Sequence, residues 1–234
     1  MELIKSISGI RGIVGKNLNN TIVNSYSNIF SHLQDQGDIL VARDSRPHGE
    51  DLYDSICDTL TFMGRNVISC GIIPTPTAQF IIKERNLAGG IVVTASHNPI
   101  EWNGLKFLDS DGCFLNADKM EELLSMSPET ITIDRGNIIE SQDAYLSHID
   151  NVLNLQCIQK EKIKDKKFKV VVDTVNGAAY KALPELLEKL NCDIIKIHCE
   201  NTGDFPRGTE PIPSHLGDLS KTVREEKADI GFAT

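Results

Sequence analysis

The fold is decided by one stretch of sequence, Ala88-Gly-Gly-Ile-Val-Val-Thr-Ala-Ser-His-Asn-Pro99, which continues to Trp102-Asn-Gly-Leu-Lys106. Residues 91–93 form an apolar, β-branched run that predicts a buried strand. At Thr94 the composition changes to small and polar residues, and the loop stops at Pro99. A strand that ends in a polar loop is a common ligand-binding position in α/β proteins. The stretch therefore predicts both an α/β fold and the place of a functional site.

This loop and the segment after it carry a hydroxyl, an imidazole, an amide and an ammonium group. They belong to Ser96, His97, Asn98 and Lys106. A serine hydroxyl can carry a phosphoryl group, while an imidazole and an ammonium can move protons and neutralise phosphate charge. The residue types alone leave a simpler interpretation open, in which Ser96 and Asn98 only cap backbone groups of a polar turn.

Arginines stand in two other segments that can approach an anion. Arg11 lies in a glycine-rich segment near the amino terminus, where small residues let the backbone come close to a ligand. The predicted strand 39–42 is followed by Arg43 and Arg46 in a second polar loop. For these two, a surface salt-bridge turn is an open alternative. Together with Lys106, the three arginines are the candidates for a local basic patch.

Strand and helix patterns alternate along the chain, which is typical of an α/β protein. The pattern fades between residues 127 and 137, where we predict a linker. The chain is therefore expected to form two consecutive α/β domains, residues 1–133 and 134–234, each with a mixed sheet sandwiched between helices. The charged run at 161–167 is predicted to be a solvated turn.

The composition excludes several classes of protein. The chain has 234 residues and a net charge of −9, with 40% hydrophobic and 24% charged residues. This balance argues against nucleic acid or an anionic membrane as the main partner, and no apolar stretch reaches transmembrane length. The six cysteines are scattered without a Cys-x-x-Cys pair, which disfavours a zinc or redox site. We expect reduced thiols in a cytoplasmic protein.

The segment Thr-Ala-Ser-His-Asn-Pro at 94–99, with the Asn-Gly-Leu-Lys that follows, closely resembles the phosphoserine loop of the α-D-phosphohexomutases. This family includes phosphoglucomutase, phosphomannomutase and phosphoglucosamine mutase. The Gly-Ile-Arg-Gly segment around Arg11 and the Arg-Asp-Ser-Arg segment at 43–46 are similar to segments of the same family. So are Asp173-x-x-Asn-Gly177, the Phe-Pro…Glu-Pro loop and Ala-Asp-Ile-Gly at 228–231, in the same order. The resemblance spans nearly the whole chain, and is greatest to phosphoglucosamine and phosphomannomutase members.

The resemblance implies a reaction in which a phosphoserine gives its phosphate to the free hydroxyl of a hexose 1- or 6-phosphate. The bisphosphate intermediate then returns its other phosphate to the serine. A hexose or hexosamine phosphate is thus the implied partner, and one Mg²⁺ ion is implied, bound to Ser96 through its phosphate. The residues that the resemblance assigns are, for catalysis, Ser96, His97, Lys106 and Arg11 and, for phosphate or substrate binding, Asn98, Arg43 and Arg46.

In the family, the strand that residues 228–234 resemble runs into an aspartate-rich metal loop, and two further domains follow. Residues 1–234 alone are therefore expected to be inactive and to bind magnesium weakly. An alternative is a non-catalytic, truncated mutase-like protein that binds sugar phosphates or a partner chain. A serine hydrolase is disfavoured because Ser96 does not lie in a G-x-S-x-G elbow. A dinucleotide site is disfavoured because no G-x-G-x-x-G follows a strand.

Overall fold

The computed structural model describes residues 2–129 and 134–234, which form two compact units. The first comprises the chain up to Ser96 together with Glu101–Ala144, and the second comprises His97–Ile100 and Tyr145–Thr234. The boundary expected between 133 and 134 falls at the edge of residues 130–133, which lie outside the described residues. The first unit continues past it to Ala144. Among the described residues, every helix is too short or too polar to cross a membrane.

The first unit has a seven-stranded mixed sheet and four helices among its described residues. The strands are β1 (Ile4–Ser6), β2 (Gly9–Ile13), β3 (Ile39–Arg43), β4 (Val67–Ile72), β5 (Gly89–Val93), β6 (Trp102–Asp109) and β7 (Ile138–Glu140), and the helices are α1 (Asn20–Leu33), α2 (Gly49–Phe62), α3 (Thr75–Glu84) and α4 (Ala117–Ser125). The strand order is β1-β2-β6-β5-β3-β4-β7. Strands β5, β3, β4 and β7 are parallel, whereas β6 is antiparallel to both β5 and β2, and β1 is antiparallel to β2.

Helices cover both faces of this sheet because the central strands are apolar on both sides. Ile39 and Val41 of β3 belong to the main hydrophobic core, which also contains buried residues of α1, α2 and α4. Leu40 alternates to the opposite face. There it lies near Gly90 of β5 and Ile82 of α3. The doubly buried strands β3 and β5 explain the continuous apolar runs in their sequences.

The segment predicted to be a linker is ordered where it is described. The N–H of Gly136 donates to the carbonyl of Thr61 (2.8 Å), and β7 pairs in parallel with β4, with Ile138 opposite Val67. The sequence did not show this strand because its three residues are all exposed, so no alternation marks a core face. This pairing is the reason that the first unit extends beyond residue 133.

The second unit has a three-stranded sheet and four α-helices among its described residues. The strands are β8 (Lys169–Asp173), β9 (Asp193–Ile197) and β10 (Ile230–Ala233), and the helices are α5 (Tyr145–Leu153), α6 (Lys160–Lys166), α7 (Ala182–Lys189) and α8 (Gly217–Glu225). The order is β10-β8-β9 and all three strands are parallel, so only the first unit has a mixed sheet. Leu187 of α7 packs on Val170 and Val172, while Leu219 of α8 lies beside Gly231.

The charged run at 161–167 forms the short helix α6 rather than the predicted turn. No residue of α6 is buried, so the run is solvated as expected. The two α/β units predicted from the alternating pattern are both present.

Candidate functional site

The candidate site lies at the carboxyl ends of β5 and β3, which are neighbouring parallel strands of the first unit. After β3 the chain continues through α2 to β4 on one side, and after β5 it continues to β6 on the other side. The two connections leave in opposite directions, so this point is a topological switch point. Open α/β sheets bind ligands at such crevices because the loops diverge there.

Ser96 follows β5 in an unusual backbone conformation. Its φ is +57°, in the left-handed region that few residues other than glycine adopt. Its N–H donates to Oγ1 of Thr94 (2.9 Å), and its carbonyl accepts from Nη2 of Arg46 (3.1 Å). Thr94 is buried whereas Ser96 is exposed. The loop thus presents an exposed serine on a backbone that is fixed from within.

Arg11 and Lys106 lie on one face of the sheet. Arg11 on β2 is opposite Gly104 on β6, and Lys106 is two residues farther along β6, opposite Val92. Side chains two apart in a strand share a face, and paired residues share it too. A Cβ at position 104 would lie 2.8 Å from Cγ of Arg11, so the glycine leaves room for the arginine. Two cationic side chains therefore share one side of the sheet.

Lys106 is half-buried, and its environment changes the pKa of its ammonium group. Burial lowers the pKa of Lys106, the charge of Arg11 lowers it further, and Asp44 partly opposes the shift. The Nζ atom also lies 5.4 Å from the ring centroid of Phe114. Because its pKa is lowered, Lys106 reaches its neutral form at a lower pH than an exposed lysine. It is therefore suited to proton transfer as well as to charge neutralisation.

Arg46 and Arg43, predicted to bind phosphate, are both engaged with protein groups. Arg46 is 0% exposed, and its guanidinium contacts the carboxylate of Asp44 as well as the Ser96 carbonyl. Arg43 donates to Glu50 (3.2 Å) and to the carbonyl of Asp44 (3.3 Å). These contacts indicate that Arg46 supports the backbone of the serine loop.

His97 and Asn98, the other two predicted residues, belong to the short segment that groups with the second unit. His97 is exposed and Asn98 is half-buried.

Two residues that the sequence did not place among the candidate site residues, Thr94 and Asp44, complete the buried part of the site. The Thr94 hydroxyl donates to Oδ2 of Asp44 (2.7 Å), and the backbone N–H of Arg46 donates to Oδ1 of the same carboxylate (3.0 Å). Thr94 is the first residue after β5 and Asp44 the first after β3, and this position at a strand end is the signal by which they could have been found.

The second unit has a similar buried cluster at the end of β8. Asp173 is 0% exposed and accepts hydrogen bonds from Nε of Arg207 (2.7 Å) and the N–H of Val175 (2.9 Å). Arg207 also donates to the carbonyl of Thr234 (2.6 Å). The ion pair thus ties the ends of β8 and β10 together. A buried carboxylate needs such partners because an uncompensated charge is strongly destabilising.

The magnesium ion implied by the sequence resemblance can be tested against the donor groups. Among the residues described, 2–129 and 134–234, no three His, Cys, Asp or Glu side chains are grouped so that they could hold a metal. A phosphate on Ser96 would contribute one oxygen ligand, whereas magnesium prefers octahedral oxygen coordination. The described residues therefore do not fit a magnesium site by themselves.

We expect Gly104→Ala to destabilise the first unit by about 2–3 kcal/mol, because overpacking forces the backbone to shift. The new Cβ would lie 2.2 Å from the carbonyl oxygen of Ile10, on the paired strand β2. Thermal unfolding followed by the fluorescence of Trp102, the single tryptophan, measures this effect. Gly217→Ala is the control, since nothing lies within 4 Å of its Cβ position. An unchanged unfolding temperature for Gly104→Ala would contradict the close β2–β6 approach.

Comparison with family models gives two consecutive matches. Residues 3–131 match phosphoglucomutase/phosphomannomutase, alpha/beta/alpha domain I, and residues 143–234 match alpha/beta/alpha domain II of the same proteins. The second match begins at 143, close to Tyr145, where the main segment of the second unit begins.

Similar curated proteins and solved structures carry related names. A probable phosphoglucosamine mutase of Methanopyrus kandleri is 32% identical over 231 residues, which cover 97% of this chain and 50% of that protein. A phosphoglucomutase/phosphomannomutase of Thermococcus kodakarensis is 36% identical over 200 residues, 83% of this chain and 43% of that protein. The crystal structure of a putative phosphomannomutase from Thermus thermophilus has the same fold, with a TM-score of 0.85 over 99% of this chain and 54% of that chain, at 23% identity. The chain thus spans about half the length of the curated relatives it matches.

Proposed function

The chain belongs to the phosphoglucomutase/phosphomannomutase family, and from this premise we propose that Ser96 carries the phosphoryl group of a hexose-phosphate mutase. The observation that carries the proposal is the exposed Ser96 on a left-handed, internally fixed loop at the switch point of the sheet. The proposed substrates are a hexose or hexosamine 1-phosphate and the matching 6-phosphate. The names of the relatives, which include glucosamine, mannose and glucose phosphate mutases, support this class.

Charge is the main requirement of such a site. A phosphoserine carries about −1.5 to −2 charges at neutral pH, and phosphoryl transfer depends on positioning and on neutralising the phosphate oxygens. The whole chain is acidic, with a net charge of −9. Arg11 and Lys106, which share a sheet face and interact electrostatically, are the proposed local source of positive charge. His97 and Asn98 are proposed to contact the phosphate or the sugar from the loop itself.

The proposed reaction consists of two transfers. In the first, the oxygen of a sugar hydroxyl attacks the phosphorus of phosphoserine 96, the bond from phosphorus to the serine oxygen breaks, and the sugar becomes a bisphosphate. In the second, the serine oxygen attacks the other phosphate of the bisphosphate, which restores the phosphoserine and releases the isomeric sugar phosphate. Each attacking hydroxyl loses a proton, for which the neutral amine of Lys106 is the proposed acceptor. The ammonium formed in this way adds to the positive charge of Arg11, and it returns the proton to the oxygen that leaves phosphorus. The family relation implies magnesium in the complete enzyme, but no step here is derived through it.

The proposal is tested by the second transfer alone, with glucose 1,6-bisphosphate as phosphoryl donor and residues 1–234 as acceptor. Intact-mass spectrometry is expected to show one added phosphoryl group, and peptide mapping should locate it at Ser96. Phosphate on any other residue, or none at all after prolonged incubation, would contradict the proposed function.

We further propose that residues 1–234 do not sustain turnover alone, because they correspond to about half of each relative. Interconversion of glucosamine 6-phosphate and 1-phosphate in a coupled assay is expected to stay at background. The full-length Methanopyrus kandleri relative is the positive control, and its own matched half, prepared separately, is the like-for-like comparison. Turnover by residues 1–234 near the rate of the full-length relative would contradict this prediction and show that the described half is sufficient.

A further inference from the structure

We propose that Thr94, Asp44 and Arg46 form a positioning clamp that holds Ser96 in the left-handed conformation from which it exchanges its phosphoryl group. None of the three is assigned a reacting role, since Thr94 and Arg46 bond the backbone of Ser96 and Asp44 holds these two in place. The transfer step of this inference rests on the proposed function. The clamp itself is a property of the loop and can be measured without any reaction.

The single proton of the Thr94 hydroxyl determines which of its two partners Thr94 donates to and which it accepts from. A hydroxyl has one proton to donate and lone pairs that accept. Thr94 donates that proton to Oδ2 of Asp44 (2.7 Å), so its oxygen is left to accept from the N–H of Ser96 (2.9 Å). The carboxylate of Asp44 therefore fixes the orientation in which Thr94 can hold Ser96.

Asp44 is in turn fixed by Arg46. The backbone N–H of Arg46 donates to Oδ1 of Asp44 (3.0 Å), and its Nη1 donates to Oδ2. The N–H of Asp44 donates to the carbonyl of Val93 (2.9 Å), which joins the end of β3 to the end of β5. Hydrogen bonds between ionised groups are shorter and stronger than neutral ones, and this pair is almost wholly removed from water.

Arg46 closes the clamp on the other side of Ser96. Its Nη2 donates to the Ser96 carbonyl (3.1 Å), while Thr94 accepts from the Ser96 N–H. Both peptide groups that flank the Ser96 Cα are thus held by buried side chains. With φ and ψ fixed in this way, the direction of the Cα–Cβ bond, and hence the position of the hydroxyl, is fixed as well.

A positive φ is unfavourable for serine, so a turn with only a capping role would be easier to build with glycine or asparagine. Here the buried Asp44–Arg46 ion pair and the buried Thr94 hydroxyl together hold the backbone of one exposed serine. Phosphoryl transfer is sensitive to displacements of the reacting oxygen of the order of 1 Å. Loss of these hydrogen bonds is therefore expected to lower the rate of phosphoryl transfer strongly and the stability of the fold only modestly.

The test compares three variants of residues 1–234. Thr94→Val keeps the shape of the side chain without the hydroxyl, and Thr94→Ser keeps the hydroxyl. Ser69→Ala removes a different buried hydroxyl of the same unit, which bonds Tyr53 (2.8 Å) and Glu140 (3.1 Å) away from the loop. Two quantities are measured for each: the hydrogen-exchange rate of the Ser96 amide by NMR, and the rate of a single phosphoryl transfer from glucose 1,6-bisphosphate.

Thr94→Val is expected to exchange the Ser96 amide roughly tenfold faster or more, because one net hydrogen bond is lost. It should also accept phosphate at least about tenfold more slowly, since the serine oxygen is no longer held. Thr94→Ser should restore both rates to within about threefold of the wild type, and Ser69→Ala should lower the unfolding temperature with both rates unchanged.

Wild-type protection of the Ser96 amide in Thr94→Val would overturn the clamp, and so would an equal loss of transfer rate in Ser69→Ala. A wild-type transfer rate in Thr94→Val despite lost protection would overturn the positioning role. Failure of the proposed function looks different: the wild type takes up no phosphate, while the exchange rates still decide whether the clamp exists.

Discussion

Ser96→Ala is expected to abolish phosphate uptake from glucose 1,6-bisphosphate, because alanine has no oxygen with which to form the phosphate ester. The fold should be unchanged, since Ser96 is exposed and its described hydrogen bonds are made by its backbone N–H and carbonyl. Intact-mass spectrometry measures the uptake, and circular dichroism with thermal unfolding checks the fold.

Ser110→Ala is the matched control, because Ser110 is another exposed serine of the first unit and lies in the turn after β6. It should take up phosphate at the wild-type rate. A Ser96→Ala protein that still carried a stoichiometric phosphate in the peptide containing residues 94–106 would refute the assignment of Ser96.

Lys106→Met is expected to slow the single phosphoryl transfer by roughly a hundredfold or more, the usual range for a lost proton acceptor. Methionine retains an apolar stem of similar length and removes the ammonium, whose Nζ lies 5.4 Å from the centroid of the Phe114 ring. The measurement is the rate of phosphate uptake by quenched-flow mass spectrometry. Lys119→Met is the control, since Lys119 is a partly buried lysine of the same unit that pairs with Asp109 (2.6 Å).

The pH dependence of the transfer rate tests the proton-accepting role. Burial and the charge of Arg11 lower the pKa of Lys106, so the neutral amine is already populated at a pH where an exposed lysine is still charged. The transfer rate should therefore rise with pH and level off once the pH exceeds the lowered pKa of Lys106. Lys106→Arg keeps the positive charge but does not deprotonate, so the rise should disappear. A wild-type rate that falls as pH increases would instead indicate that Lys106 acts only as a charge.

The sequence by itself determined those features that depend only on residues close together along the chain. The apolar runs of β3, β5 and β8 are continuous because each strand is buried on both faces, so they were readable without knowledge of their partners. The change to polar residues at Thr94 marked the site, because a strand that leaves the core must satisfy its backbone in a loop. The start of α4 also depends on residues close in sequence, because Asn116 caps the helix by accepting from the N–H of Lys119 (2.9 Å).

The tertiary structure alone decided which buried residues support Ser96. Asp44 and Thr94 are hydrogen-bonded because β3 and β5 are neighbours, and the order of strands in a sheet is not encoded by local periodicity. Arg46, which the sequence predicted to bind phosphate, is buried and donates to the Ser96 carbonyl, a contact that no local pattern indicated. The short strand β7 also depends on tertiary structure. Its three residues are exposed, and they form a strand because they pair with β4. Local composition can show that a residue is polar, but its partner is set by the register and order of strands that are far apart in sequence.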